Sequence, residues 1–318
     1  MDLLDRQVLF VTGKGGVGKS TVSAALAWLG ATLGKRVLAV EVDQKGNLTD
    51  FFEHDRVGYE PVEVQRSVWA LTINPEDSLE EYLRVQLRMP LLSRIGPVAR
   101  IFDFVATAAP GVREILVTGK IAYEARERQA RSNDPKWDLI VVDSQATGHV
   151  VAQLEAHRTI GDLVQVGAVR NQTEWMGDIL EDPKRTGVVV VATPEEMPVA
   201  ETIELYGRFR DRTKVDVAAV VVNRVLPEIF GRHEEETFEA LTEPKPAAII
   251  TEEIDADPTP MFEAARLAVT LRRTRAGHLR RLREEVPLPL IYVPYLFVRS
   301  HGMRTTRLVS RYLSEELL

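Results

Sequence analysis

Nine residues near the start of the chain, Gly13-Lys14-Gly15-Gly16-Val17-Gly18-Lys19-Ser20-Thr21, combine a pliable backbone with positive charge and hydroxyl groups. The spacing G-x-x-x-x-G-K-S follows the apolar run 8–11 and precedes the helix-forming stretch 22–29. In that setting a glycine-rich bend turns several backbone N–H groups toward phosphate oxygens, and the positive end of the following helix adds to the attraction. Lys19 is placed to neutralise terminal phosphates, and the Ser20 hydroxyl to ligate Mg²⁺. The pattern predicts a nucleotide phosphate site built from Gly13, Gly15, Gly16, Val17, Gly18, Lys19, Ser20 and Thr21, with Mg²⁺ as the companion ion. Its alternative is a glycine-rich turn that binds nothing.

Phosphoryl transfer asks a protein for positioning and charge neutralisation, through a carboxylate that orders the metal and a group that orients the attacking water. Asp143, which ends the apolar run 139–142, fits the first requirement, and Asp43, which ends the run 37–42, fits the second. Aspartates at strand ends also serve as turn or helix caps, and both keep that alternative. Phosphate binding does not require Lys14, whose plain alternative is a solvated lysine on a loop tip.

With Lys14 directly after the first glycine, the loop resembles that of the deviant-loop ATPases within the P-loop NTPases of the SIMIBI class. That group includes the arsenite-pump ATPase, the tail-anchored-protein targeting ATPase, the septum-positioning and plasmid-partition ATPases and the nitrogenase iron protein. The resemblance implies an ATPase that binds ATP and Mg²⁺ at a dimer interface, where Lys14 reaches the nucleotide held by the other subunit. Asp143-Ser144-Gln145-Ala146-Thr147-Gly148-His149 is similar to the second switch D-T-A-P-T-G-H of the arsenite-pump and targeting ATPases, which implies that Asp143 holds the metal through water. Asp43-Gln44-Lys45-Gly46-Asn47-Leu48 is similar to their first switch D-P-A-H-N-L, whose aspartate orients the hydrolytic water. Lys14, Lys19 and Asp43 thereby form the expected catalytic group.

Asn223, at the end of the run 220–222, matches the family asparagine that reads the adenine edge, and Pro294 lies in a segment like the loop that closes over the base. Taken alone, each is a strand end followed by a turn. Thr193–Thr202 looks like the family's strand-to-helix turn, and Ala109-Pro110-Gly111 resembles the A-P-G segment of the arsenite-pump group. The switch prolines are absent: Gln44 replaces one, and Gln145-Ala146 replaces the alanine-proline pair. Freer switch backbones are expected to slow hydrolysis.

The elements that position these residues are short β-branched runs alternating with amphipathic segments, the pattern of a doubly wound, mostly parallel α/β sheet with helices on both faces. Strands are expected at 8–11, 37–42, 68–73, 139–142, 188–192, 217–222 and 290–293. The phosphate loop, Asp43 and Asp143 then share the carboxyl ends of the strands, where nucleotides bind in such sheets. The whole chain, 1–318, reads as one P-loop ATPase domain with a helical insertion at 75–137, divided by Pro90, Pro97 and Pro110. Helix is expected at 79–83, 91–105 and 115–131, and again over 155–182. Segment 264–286 carries seven arginines. It reads either as a solvated helix face whose leucines and alanines pack on the sheet, or as a contact for an acidic partner or anionic lipid.

The chain has 318 residues, with 40 Lys+Arg against 47 Asp+Glu and a net charge of −7, so it carries no overall field favouring nucleic acid or an anionic membrane. Zero cysteines exclude disulfides, thiolate zinc sites and a thiol-based arsenite site. The six histidines share no ligand spacing, and no G-x-S-x-G turn suggests a serine hydrolase. The start lacks the order of a secretory signal and no apolar stretch approaches a bilayer span, so a cytoplasmic protein is expected.

The insertion holds Met89 as its only methionine, unlike the methionine-rich groove that shelters membrane helices in the targeting ATPases. Its apolar residues read as helix packing or as such a groove. The leading reading is an ATP-dependent switch acting on an unknown protein client, as a homodimer or with a related subunit, with membrane contact at most indirect and no nucleic acid. The alternatives are a nucleotide-holding subunit with little hydrolysis of its own, or a positioning ATPase on membrane or DNA.

Overall fold

Runs of Val, Leu, Ile and Ala become strands buried on both faces, because a parallel strand between two helical layers has no wet side. In the computed structural model, which describes residues 3–42, 47–85, 111–130, 132–163, 167–298 and 302–318, the strands are β1 (Val8–Gly13), β2 (Val37–Val42), β3 (Val62–Gln65), β4 (Val68–Ile73), β5 (Leu139–Asp143), β6 (Thr186–Ala192), β7 (Val217–Val225) and β8 (Leu290–Pro294). They form one sheet in the order β3-β4-β2-β5-β1-β6-β7-β8. Every pair is parallel except β3 with β4. The seven expected strands are all present, some extended at their ends. β3 was not expected from the sequence: Val62-Glu63-Val64-Gln65 is short, half polar and half exposed, and it forms an edge hairpin through a turn with Ser67 at φ 64°.

The helices are α1 (Lys19–Thr32), α2 (Asn47–Phe52), α3 (Pro75–Val85), α4 (Val112–Arg126), α5 (Thr147–Leu163), α6 (Ala168–Leu180), α7 (Glu196–Arg212), α8 (Arg232–Leu241), α9 (Pro244–Ile254), α10 (Thr259–Glu285) and α11 (Met303–Leu317). Alternate strand residues divide the core in two. Leu9, Val11, Val141 and Val191 pack with Leu26 of α1, Phe52 of α2 and Leu313 of α11. Phe10, Val40, Val142 and Val190 pack with Ile121 of α4, Leu154 of α5, Ile179 of α6 and Phe209 of α7. This is the doubly wound α/β arrangement.

Several expected boundaries move. α4 ends at Arg126 rather than 131, and the helix expected from 155 begins at Thr147. The stretch 91–105, with Met89, Pro90, Pro97, Ala109 and Pro110, lies outside the described residues, as do Asp43 to Gly46 of the first switch. The arginine-rich segment is part of the 27-residue α10, in which only Phe262 and Leu282 are buried. Leu282 and the partly buried Leu279 pack on the core as expected, whereas Leu267 and Leu271 are exposed, so the expectation holds only for the second half of the segment. Its charges are met within the chain: Arg266, Arg272, Arg273 and Arg275 pair with Glu239, Glu228, Glu235 and Glu195. Among the described residues no helix is long and apolar enough to cross a membrane.

Candidate functional site

The phosphate loop joins β1 to α1, and its glycines are fixed by what surrounds them. Gly13 has φ 148°, and a Cβ there would collide with the carbonyl oxygen of Val191 on the neighbouring β6. Gly18 caps α1 at φ 96°, and a Cβ there would collide with the Asn223 side-chain amide. At Gly15 and Gly16, by contrast, the space a Cβ would occupy is open. The loop thus rests against β6 and β7 on one side and leaves its middle glycines facing a void, with the N-terminus of α1 beneath.

That void is a cleft of about 440 Å³ lined by the loop (Gly15, Gly16, Gly18, Lys19, Ser20, Thr21), the second switch (Asp143 to Ala146), Glu41, Asp50 and Arg224. The Ser20 hydroxyl donates to Asp143 Oδ2 at 2.6 Å, and Ser23 donates to Asp143 Oδ1 at 3.2 Å. Lys19 Nζ donates to the backbone oxygen of Lys14 at 3.1 Å, which curls the loop over its own lysine. The Ser144 N–H bonds Val11 O at 3.0 Å, and Thr12 Oγ1 donates to Gln145 O at 3.2 Å, so the start of the switch is anchored to β1.

The donor set fits a magnesium nucleotide. Lys19 and the loop N–H groups suit phosphate oxygens, while the paired Ser20 hydroxyl and Asp143 carboxylate are hard oxygen ligands. The Ser144 hydroxyl lines the cleft, is buried and has no hydrogen-bond partner, which leaves a polar group for a ligand to satisfy. Among the described residues no three His, Asp or Glu side chains cluster as a metal cage. A metal here would therefore draw its remaining ligands from phosphate and water, as Mg²⁺ commonly does.

The structure separates the other expected site residues. Val17 is buried in the core beneath the loop and acts through its backbone. Lys14 does not line the cleft. Its ammonium is held by Glu201 on α7 of the same chain, within the segment 193–202 that resembles the family's strand-to-helix turn. Asn223 is 6% exposed and lies behind the loop, donating to Val17 O at 2.8 Å while its Oδ1 accepts the Arg224 N–H at 2.9 Å. It braces the loop and keeps one amide N–H for a further acceptor. Pro294 closes β8, off the lining of the cleft. Ser23, Glu41, Asp50 and Arg224 were not singled out from the sequence. The serine had a signal in its spacing of three from Ser20, which places both hydroxyls on one face of α1.

The chain matches the sequence profile described as anion-transporting ATPase over residues 6–176 and 161–246. It is 33% identical over 222 residues to "ATPase BagA" of Mycobacterium tuberculosis H37Rv, covering 68% of this chain and 64% of that protein. It is 30% identical over 245 residues to a "putative arsenical pump-driving ATPase" of Halobacterium salinarum, covering 71% of this chain and 37% of that protein. "ATPase ASNA1 homolog 1" of Paramecium tetraurelia is 26% identical over 274 residues, covering 71% of this chain and 78% of that protein. The match to the mycobacterial protein thus spans just under two thirds of its length. On the profile match, which spans well over half of its residues, the chain belongs to the anion-transporting ATPase family.

Proposed function

We propose that this protein binds MgATP in the cleft between the phosphate loop and the second switch, hydrolyses it, and uses the cycle as a switch on a protein client. The observation that carries this reading is the Ser20–Asp143 pair set beside Lys19 at the N-terminus of α1. Phosphates would be held by the loop N–H groups and Lys19, with Ser20 and Asp143 as the metal's protein contacts. When bound, the magnesium ion supplies charge neutralisation to the phosphates. Asp43 is assigned the attacking water, and Lys14 the nucleotide of a partner subunit, by likeness to the family's motifs. The chain acts as one domain over 1–318, with 75–137 as a helical insertion within it.

The Lys14–Glu201 pair favours a second reading, a nucleotide-holding subunit with little turnover of its own. In the single chain the lysine assigned to a partner's nucleotide is bound to its own α7. One experiment separates the two. The purified chain is titrated with MgATP by calorimetry, and ADP release and oligomeric state are followed for wild type, Lys14→Ala and Asp43→Ala. Binding with turnover that both variants abolish, and an ATP-dependent dimer, is the expected result. Binding without detectable ADP selects the second reading, and no heat of binding overturns both.

A further inference from the structure

We infer that Arg224 is a phosphate ligand contributed by the same chain, an inference that rests on nucleotide occupying the cleft. The charged side chains lining that cleft are Lys19 and Arg224 against Glu41, Asp50 and Asp143. A triphosphate entering such a wall is favoured by each cation the chain adds to Lys19 and to the magnesium that accompanies the nucleotide. Lys14 is not such a cation, being turned away onto Glu201. Arg224 is exposed into the cleft and, among the described residues, forms no ion pair, whereas Arg266, Arg272, Arg273 and Arg275 of α10 each hold a glutamate. Guanidinium is permanently charged and presents a planar fork of donors matched to phosphate oxygens.

The backbone supports the assignment. β7 slips register against β8 between Val222 and Val225, and Arg224 within that irregularity has φ 58°, the left-handed region that residues with side chains rarely occupy. Such irregularities re-aim a side chain. Here the conformation is tied to the loop itself: the Arg224 N–H bonds Asn223 Oδ1, and the Asn223 amide bonds Val17 O. Asn223 is thus a positioning residue that couples the phosphate loop to the backbone carrying the guanidinium. Glycine would meet the same φ at no steric cost, so an arginine there carries a backbone penalty that a contact through its side chain offsets.

The test uses the full chain and three ligands: MgATP and MgADP by calorimetry, and adenosine by NMR. Arg224→Gly removes the guanidinium while suiting the backbone, and Arg224→Lys keeps a charge. The expected result is that Arg224→Gly weakens MgATP and MgADP by about tenfold, the size of one charged hydrogen bond at a wet site. Adenosine binding should be unchanged, Arg224→Lys should recover most of the loss, and the ligand-free melting temperature of Arg224→Gly should equal or exceed that of wild type. Unaltered MgATP affinity in Arg224→Gly overturns the inference. So does an equal loss for adenosine, which would mark a contact to the base, and so does a fall in ligand-free melting temperature, which would mark a structural role. A wild-type chain that binds no MgATP brings down the nucleotide reading itself, and the inference with it.

Discussion

The cleft at the carboxyl ends of the strands and the charged cluster around α4 are both rich in polar groups set against the sheet, yet only the second is complete by itself. In the cluster, Lys120 Nζ lies 3.1 Å from both Glu81 Oε1 and Glu124 Oε1, and Lys136 lies 3.1 Å from Glu124 Oε2. The Trp137 indole N–H donates to the same Oε2 at 2.8 Å, and Tyr59 donates to Glu81 at 2.7 Å. Both carboxylate oxygens of Glu124 are therefore occupied although its side chain is only 3% exposed. In the cleft, Ser144 Oγ has no partner and the middle glycines face empty space. Polar groups that satisfy one another specify a fold, and those left for a ligand specify a site.

The sharpest way to break this contrast is to alter one residue on each side. Lys19→Ala should reduce ATP turnover on the order of 10²-fold, the usual cost of removing one fixed charge from a developing anion, and should leave the denaturation midpoint nearly unchanged. Steady-state hydrolysis beside a urea titration reads both. If the variant unfolded instead of losing activity, the cleft would be a structural feature like the cluster.

Glu124→Ala should do the reverse. It strands Lys120, whose side chain is 2% exposed, and breaking a buried pair in this way costs about 3–5 kcal/mol. Urea unfolding measures that loss, while MgATP affinity of the folded fraction should stay at the wild-type value. A pH series sharpens the point. Burial pushes the Glu124 carboxyl up, but Lys120, Trp137 and Lys136 together hold it below its ordinary value. A carboxyl lowered on folding contributes stability that is present above its unfolded value of about 4.3 and is lost as pH falls through the lower folded value. Wild-type stability should decline over that acid window, and the decline should be shallower in Glu124→Ala. Parallel acid limbs in the two proteins would remove Glu124 from the account.

What could be read in advance follows from which forces act locally. The β-branched runs that became β1, β2 and β4 to β8 carry their own burial signal, and the glycine spacing of the loop carries its backbone demand. Asp143 was legible because strand-end carboxylates in such sheets converge on the loop. Arg224 was not, since its φ depends on the slip between β7 and β8, and Lys14 was not placed on Glu201, because that contact joins residues 187 apart in sequence. The pairing of the α10 arginines was hidden for the same reason: a charge run is visible in one segment, whereas its glutamates lie on other elements.

The smallest expected effect comes from that exposed region and bounds the comparison from below. Arg266 pairs with Glu239 at 2.7 Å and also donates to Thr242 at 2.6 Å, and the pair holds the Glu239 carboxyl below its ordinary value. Both side chains are about half exposed, at 50% and 53%, so water and salt screen their attraction in the folded protein. Arg266→Ala should leave the urea midpoint within experimental error, and the small difference that remains should vanish as salt is raised. A shift as large as that of Glu124→Ala would mean that α8 is held to α10 by charge rather than by the ring contacts of Phe238 with Phe230 and Phe262. The distinction between a buried network that builds the fold and an exposed one that decorates it would then fail at its lower end.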